Sequence, residues 1–267
     1  MLTYPKIDPI CLRFFGYEFY WYSVAYITGI LVGLWLAKLY QRRYLLELPH
    51  DIFDRLVTYI IIGVLVGGRV GYVFLYAMDE FLANPAYLIE FPIRGMSFHG
   101  GFVGVAIAAG LFAYRTKTPL WTIADIICCT APIGLFFGRI ANFINGELYG
   151  RITDCWCGMV FPGGGMFPRH PSQLYEAILE GLVLFIVLNG LYQIRAIRER
   201  SGSIAGLFMM LYGSFRFIVE YAREPSDGYA IIGNLWLTWG QVYSLPMIVV
   251  GIVVLWINRK NASFTEL

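Results

Sequence analysis

Seven runs of about twenty mostly apolar residues, separated by shorter polar segments, set the pattern of the chain. They fall at 17–37, 58–76, 96–114, 119–141, 173–193, 203–222 and 239–257. Each is long enough to cross the hydrocarbon of a bilayer as a helix, which needs about 20 residues. Three pairs or triplets of glycines recur at every fourth position: Gly63, Gly67 and Gly71; Gly100 and Gly104; Gly134 and Gly138. Small residues at that spacing predict close helix packing in lipid. Between the fourth and fifth runs lies the longest gap, whose stretch 153–170 is rich in Gly and Pro and predicts an irregular head.

Composition sharpens the picture. The 267 residues are 58% apolar and 14% charged, against about 45–50% and roughly 25% in soluble domains. A soluble enzyme, a disordered chain and a small secreted scaffold are excluded. The formal net charge of +2 is too small for an electrostatic nucleic-acid binder. The 19 Tyr, 20 Phe and 7 Trp suit aromatic belts at a membrane interface. Five Cys do not make a disulfide framework in a chain of this length. Residues 1–16 contain Pro5, Asp8 and Pro9 and lack the basic start and small-residue cleavage site of a signal peptide.

Charge placement predicts orientation. The segments 38–57, 115–118, 194–202 and 258–267 carry eleven Lys and Arg, while the alternate and much longer set, 1–16, 77–95, 142–172 and 223–238, carries six. Lys and Arg collect on the cytoplasmic side. The expectation is a single all-α polytopic membrane domain over 1–267, with seven transmembrane helices. Its N-terminus is external, its C-terminus cytoplasmic, and the 142–172 head external.

Ionisable residues inside apolar runs are functional candidates by default. Arg69 lies in the second run, His99 at the start of the third, Asp125 in the fourth, and Arg139 and Asn142 toward its far end. The sixth run carries Tyr212, Arg216 and Glu220 on one helical face, with Arg223 following. Bland readings stand beside these: Arg216 with Glu220 as a structural pair, Arg139 snorkelling to headgroups, His99 as a packing histidine. For Arg69, Asp125 and Glu180 a structural network is the favoured reading. His170-Pro-Ser-Gln is either part of the site or the turn that starts the fifth run. Cys155 and Cys157 are too close for a relaxed disulfide, no cysteine has a histidine at useful spacing, and no cluster has the spacing of a metal site.

Five motifs stand in order: Gly68-Arg69-Val-Gly-Tyr72; Met96-Ser-Phe-His-Gly-Gly101; Gly138-Arg139 with Asn142-Phe-Ile-Asn145-Gly-Glu147-Leu-Tyr-Gly150-Arg151; Arg169-His-Pro-Ser-Gln-Leu-Tyr-Glu176; and Tyr212-Gly-Ser-Phe-Arg216-Phe-Ile-Val-Glu220. Together they resemble the bacterial phosphatidylglycerol–prolipoprotein diacylglyceryl transferase family over nearly the whole chain. The resemblance implies transfer of the diacylglyceryl group of phosphatidylglycerol to the lipobox cysteine of a preprolipoprotein signal peptide, at the external face of the cytoplasmic membrane. A thioether forms and glycerol phosphate is released; neither cofactor nor metal is needed. The segment 151–168, with its two cysteines, departs from the loops of that family.

The residues fit such a reaction. Arg139 and Arg216 suit phosphate, since guanidinium forks are planar and permanently charged. His99, the one histidine in a run, or Tyr212 could take the thiol proton. Asn142, Asn145 and Glu147 could bond glycerol hydroxyls or orient the arginines. Tyr22 resembles a site residue of the family, and Gly100 and Gly101 would admit acyl chains or the signal peptide close to backbone. A transporter for an anionic solute and a lipid-headgroup hydrolase are the rival readings.

Overall fold

In the computed structural model, residues 2–5, 7–90, 95–225, 229–232 and 235–263 are described. Arg94 falls outside them, as do the side chains of Arg259 and Lys260, so part of the charge pattern has no structural counterpart. Each of the seven apolar runs is helical over most of its length. The helices are α1 (Trp21–Tyr44), α2 (Ile52–Tyr76), α3 (Phe98–Thr116), α4 (Leu120–Asn145), α5 (Ser172–Gln193), α6 (Ser203–Val219) and α7 (Trp239–Ser263). Among the described residues, α1, α2, α4, α5 and α7 are long and apolar enough to cross a membrane. These are the features of a multi-pass membrane protein.

Both ends of α1 need correction. Residues 17–20, placed in the first span, form instead the second strand of a hairpin, Ile10–Phe14 with Tyr17–Tyr20. Alternation of Tyr17, Phe19 with Glu18, Tyr20 has the two-residue period of a strand, hidden in a simple hydropathy count by its aromatics. At its other end α1 runs on to Tyr44, because Lys38, Arg42 and Arg43 are good helix formers that apolar counting excludes. A second hairpin, Tyr229–Ile232 with Leu235–Thr238, precedes α7.

The chain divides into two compact units, 36–124 and 1–35 with 125–267. In the smaller, α2 packs on α3 through the predicted glycines. A Cβ on Gly71 would sit 2.5 Å from Gly100 Cα, and one on Gly63 2.9 Å from Ala108 Cβ. Arg69, buried in α2, donates to the carbonyls of Tyr87 and Leu88 and lies over the Tyr87 ring at 4.8 Å. It is the structural residue expected, fastening α2 to the turn Pro85–Leu88. Ser97 starts α3, its hydroxyl accepting from the Gly100 amide at 3.2 Å, so His99 sits in the first turn.

In the larger unit, Asp125 accepts from the backbone N–H groups of Gly202 and Ala205, at 2.7 and 2.8 Å. This is an N-cap for α6 supplied by α4, satisfying donors that otherwise end unpaired. Asn189 of α5 donates to the Cys129 carbonyl at 3.0 Å. A Cβ on Gly181 of α5 would lie 2.7 Å from Phe136 Cβ, and one on Gly251 of α7 would lie 2.6 Å from Met210 N in α6. Gly134 is the floor under Gly29, 3.1 Å from its would-be Cβ, whereas Gly138 has open space. The head at 146–171 closes on a cluster of Tyr4, Phe143, Met159 and Phe161, with the Tyr4 hydroxyl donating to the Phe143 carbonyl at 2.7 Å.

Two substitutions test this packing by thermal unfolding of the detergent-solubilised protein. Gly71→Leu forces a side chain into the α3 backbone and is expected to cost on the order of 3 kcal/mol. Gly110→Ala, where nothing lies within 4 Å, leaves the midpoint unchanged or raises it. Equal midpoints for both variants would refute the glycine interface.

Candidate functional site

The far end of α4 is finished by a Schellman turn. Gly146 adopts φ +67°, Gly146 N–H donates to the Phe143 carbonyl at 3.0 Å, and Glu147 N–H donates to the Asn142 carbonyl at 3.1 Å. The turn swings Glu147 back over the helix end. There its Oε1 accepts from Asn142 Nδ2 at 2.8 Å and from Asn145 Nδ2 at 3.2 Å. The three residues expected to act together are brought together by a helix terminus. Leu148 follows at φ +57°, a strained conformation for a branched residue. It is held by α5: Ser172 Oγ donates to the Leu148 carbonyl at 3.0 Å and Gln173 Nε2 to the Glu147 carbonyl at 2.6 Å. The His170-Pro-Ser-Gln segment therefore both starts α5 and clamps this turn. Asn145 Oδ1 and Gln173 Oε1 are buried without a hydrogen-bond partner.

One turn before Asn142 on α4, Arg139 meets an ion cluster. Its Nη2 lies 2.6 Å from Glu176 Oε2 on α5. Arg216 Nη1 on α6 lies 2.9 Å from the same oxygen, and Arg223 Nη1 2.9 Å from the other. Arg216 Nη2 also pairs with Glu220 at 3.0 Å, and Glu180 Oε1 lies 3.8 Å from Arg216. Glu176 and Glu180 have no solvent exposure, while the Arg139 and Arg216 side chains keep 19% and 17%. Three arginines surround the paired carboxylates of Glu176 and Glu220, while both oxygens of Glu180 are buried without a hydrogen-bond partner. Helix α5 is a π-helix over Ala177–Val183, which begins directly after Glu176 and contains Glu180, a distortion that often marks functional positions.

Arg139 and Arg216, read from the sequence as a pair suited to phosphate, meet on one carboxylate oxygen. Tyr212, one turn from Arg216, stacks on Phe208 at 5.6 Å and lies in electrostatic reach of Arg216, Arg139 and Glu180. Tyr22 begins α1, where its hydroxyl accepts from Tyr26 at 3.4 Å; Tyr26 in turn feels the Arg139 charge. His99, Gly100 and Gly101 belong to the 36–124 unit. His99 is exposed there. For Gly100 the expected open access is corrected: its missing Cβ faces α2, 2.7 Å from Gly71 Cα, while Gly101 has only the Val64 carbonyl at 3.9 Å. Backbone contact with the neighbouring helix fills the space a ligand would need.

Glu176, the hub, has no role that the sequence predicts, and Glu180 is expected only in a structural network. The signal was available: two carboxylates four residues apart inside an apolar run, in a chain whose cations had already been singled out. Arg223, expected to continue the face of Tyr212, Arg216 and Glu220, does join the cluster, and Gln173 belongs to the turn that starts α5. Two further arginines brace the head: Arg151 donates to the Arg223 carbonyl at 2.8 Å, and Arg169 to the carbonyls of Gly164 and Gly150. The cysteine reading also changes. Tyr175 Oη lies 3.1 Å from Cys157 Sγ and 3.2 Å from His170 Nδ1, linking a thiol to a histidine thirteen residues away.

Comparison with known proteins bears on the family of the chain. The profile of the prolipoprotein diacylglyceryl transferase family matches residues 9–257. The chain is 45% identical to the phosphatidylglycerol–prolipoprotein diacylglyceryl transferase of Allorhizobium ampelinum, over 100% of the chain and 95% of that protein. Identity is 44% to the protein of the same name from Nitratidesulfovibrio vulgaris, covering 98% and 97%. With that of Aliivibrio salmonicida it is 44%, covering 100% and 93%.

Replacing Glu176 by Gln keeps its shape but leaves three guanidinium groups around a neutral amide. Breaking a buried ion cluster on one side costs about 3–5 kcal/mol, and a loss of that size is expected in denaturation of the purified protein. Adding Arg223→Gln should recover part of it, a coupling a double-mutant cycle reads directly. Additive losses would mean that the Arg223–Glu176 pair contributes nothing.

Proposed function

As the chain belongs to the prolipoprotein diacylglyceryl transferase family, we propose that it transfers the diacylglyceryl group of phosphatidylglycerol to the lipobox cysteine of a preprolipoprotein, the first step of lipoprotein maturation. The observation that carries this reading is the shared carboxylate: Arg139 and Arg216, from different helices, meet on Glu176 Oε2 with their outer edges accessible. A phosphodiester entering there competes with Glu176 for two preorganised forks.

The lipobox thiolate displaces at C3 of the glyceryl unit. A C–S bond forms, the C–O bond to phosphate breaks, and the electron pair leaves on glycerol phosphate. Arg139 and Arg216 bear the charge that accumulates on the leaving phosphate, the largest type of catalytic contribution. Asn142, Asn145 and Glu147 offer amide and carboxylate groups to the hydroxyls of the glycerol headgroup. His99 takes the thiol proton, with Tyr212 as the competing acceptor. Tyr22 contacts the lipid, and Gly101 offers open backbone to an acyl chain or the signal helix. Seven spans, an external N-terminus and a cytoplasmic C-terminus follow from the Lys and Arg asymmetry. This orientation puts the Schellman turn and the arginines at the external leaflet of the cytoplasmic membrane, where both substrates arrive laterally. The chemistry needs no metal or nucleotide, because the lipid brings its own leaving group.

Incubating the purified protein with phosphatidylglycerol and a lipobox peptide tests the reading by mass analysis. The peptide should gain one diacylglyceryl group through its cysteine. Lipid hydrolysis without an acceptor thiol, or solute flux in vesicles without modification, would replace it with one of the rival activities.

Arginine identity is best tested with lysine, which keeps the charge opposite Glu176. Arg139→Lys and Arg216→Lys should each lower kcat/KM about a hundredfold, the effect of one lost charge-stabilising donor at roughly 3 kcal/mol. Near-normal rates in either variant would reduce that arginine to a structural partner.

His99→Gln keeps a hydrogen bond but accepts no proton, and should lose about 10²–10⁴-fold at neutral pH. A free thiol ionises near 8.5, so alkali supplies thiolate without a base. The deficit should shrink between about pH 7 and 9. A ratio of wild-type to variant rate that stays flat with pH transfers the base role to Tyr212 or solvent.

A further inference from the structure

The head carries two cysteines that the transfer reaction does not use. Gly158 N–H donates to the Cys155 carbonyl at 2.9 Å, closing a four-residue turn, and Cys157 N–H points at Cys155 Sγ, 3.4 Å away. The turn holds the two cysteines side by side, at a spacing too short for a relaxed disulfide, so that a bond between them is strained. Both side chains are half-buried and reachable, and both thiols are free. They differ from the remaining cysteines: Cys11 lies exposed in the first hairpin, while Cys128 and Cys129 lie within α4.

Cys157 is also the end of a hydrogen-bond chain. Burial holds His170 below its ordinary pKa, so it stays neutral. Its Nδ1–H can then donate to Tyr175 Oη at 3.2 Å, leaving the phenol proton for Cys157 Sγ at 3.1 Å. Hydrogen bonds from Cys155 and Tyr175 hold the Cys157 thiol below its ordinary range. Tyr175 is fixed at the start of α5 by the Ser172 and Gln173 clamp, so the chain is preorganised rather than a chance surface contact.

We propose that Cys157 and Cys155 form a dithiol site for small-molecule disulfides, Cys157 attacking and Cys155 resolving, with Tyr175 and His170 as positioning residues for the attacking sulfur. The Cys157 thiolate attacks one sulfur of a disulfide R–S–S–R; that S–S bond breaks, one thiolate RS⁻ leaves, and a mixed disulfide remains. Cys155 gives its proton to solvent and attacks the Cys157 sulfur, forming the Cys155–Cys157 bond and expelling a second RS⁻. The protein dithiol is oxidised and the external disulfide is reduced to two thiols. A ring closed over only three residues is tight, which places the product among the easily reduced, labile disulfides. The site is independent of the transfer activity.

The test treats the full-length protein in detergent with oxidised glutathione and follows each cysteine by alkylation and mass spectrometry. In the wild type, Cys155 and Cys157 should lose reactivity together, in a peptide lighter by two hydrogens, several-fold faster than Cys11 acquires glutathione. Cys155→Ser should stop at a glutathione adduct on Cys157, and Cys157→Ser should leave Cys155 unreacted on that timescale. Tyr175→Phe should lower the Cys157 rate toward that of Cys11 while the Cys11 rate itself is unchanged. Separate glutathione adducts on both cysteines of the wild type, or a Cys157 in Cys155→Ser that reacts no faster than Cys11, would overturn the proposal.

Discussion

One carboxylate with no solvent exposure holds three guanidinium groups. Charges in a low-dielectric interior are tolerated only when paired and hydrogen-bonded, and the desolvation of each costs several kcal/mol. Glu176 meets that constraint with both oxygens, and Glu220 adds a second paired carboxylate. Three stretches of chain are thereby committed to one point: the end of α4, the start of α5 and the end of α6 with the residues after it. The same constraint explains small choices nearby. Gly240 follows because a Cβ there would come within 2.6 Å of the Glu220 carboxylate. Arg151 crosses to the Arg223 carbonyl, placing a positive charge at the C-terminal end of α6, where the helix dipole favours it.

Polar residues away from the hub serve as fasteners. Asp125 caps a helix other than its own, Arg69 gathers two carbonyls from a neighbouring turn, and Asn189 reaches across to α4. Where hydrophobic attraction between helices is absent, such bonds and tight glycine contacts take its place. Surfaces without either are plainly apolar: Leu31, Trp35, Leu65, Val253 and Trp256 all stand exposed, as expected where lipid rather than water is the surrounding medium.

Much of this was legible in the sequence, for identifiable reasons. Hydropathy finds the seven long apolar helices because a segment built for lipid must be apolar along its whole length. It misplaces the start of α1, because aromatic strand residues score like helix residues. Arg139 and Arg216 could be read as partners because cations in apolar runs are rare and costly. Glu176 could not be assigned as their common partner, since choosing among Glu176, Glu180 and Glu220 requires knowing how α5 is rotated against α6. Asn142, Asn145 and Glu147 were grouped by proximity alone; the left-handed Gly146 that unites them leaves only a Gly in the sequence. The Cys157–His170 link was invisible because it passes through Tyr175 and pairs segments that meet only when the head folds.

The wide turn of α5 over Ala177–Val183 has a consequence for how this helix tolerates insertion and deletion. A π-type turn accommodates one more residue than an α-helical turn of the same length, and each residue in an α-helix rotates the following ones by about 100°. Upstream of the wide turn, Ser172, Gln173 and Glu176 face the head and the arginines; downstream, Asn189 faces Cys129. A regular helix would bring one of these two faces out of phase with its partners. Loss of a single residue here would therefore act as a shift in phase between the two halves of the helix, misaiming side chains whose own identities were untouched.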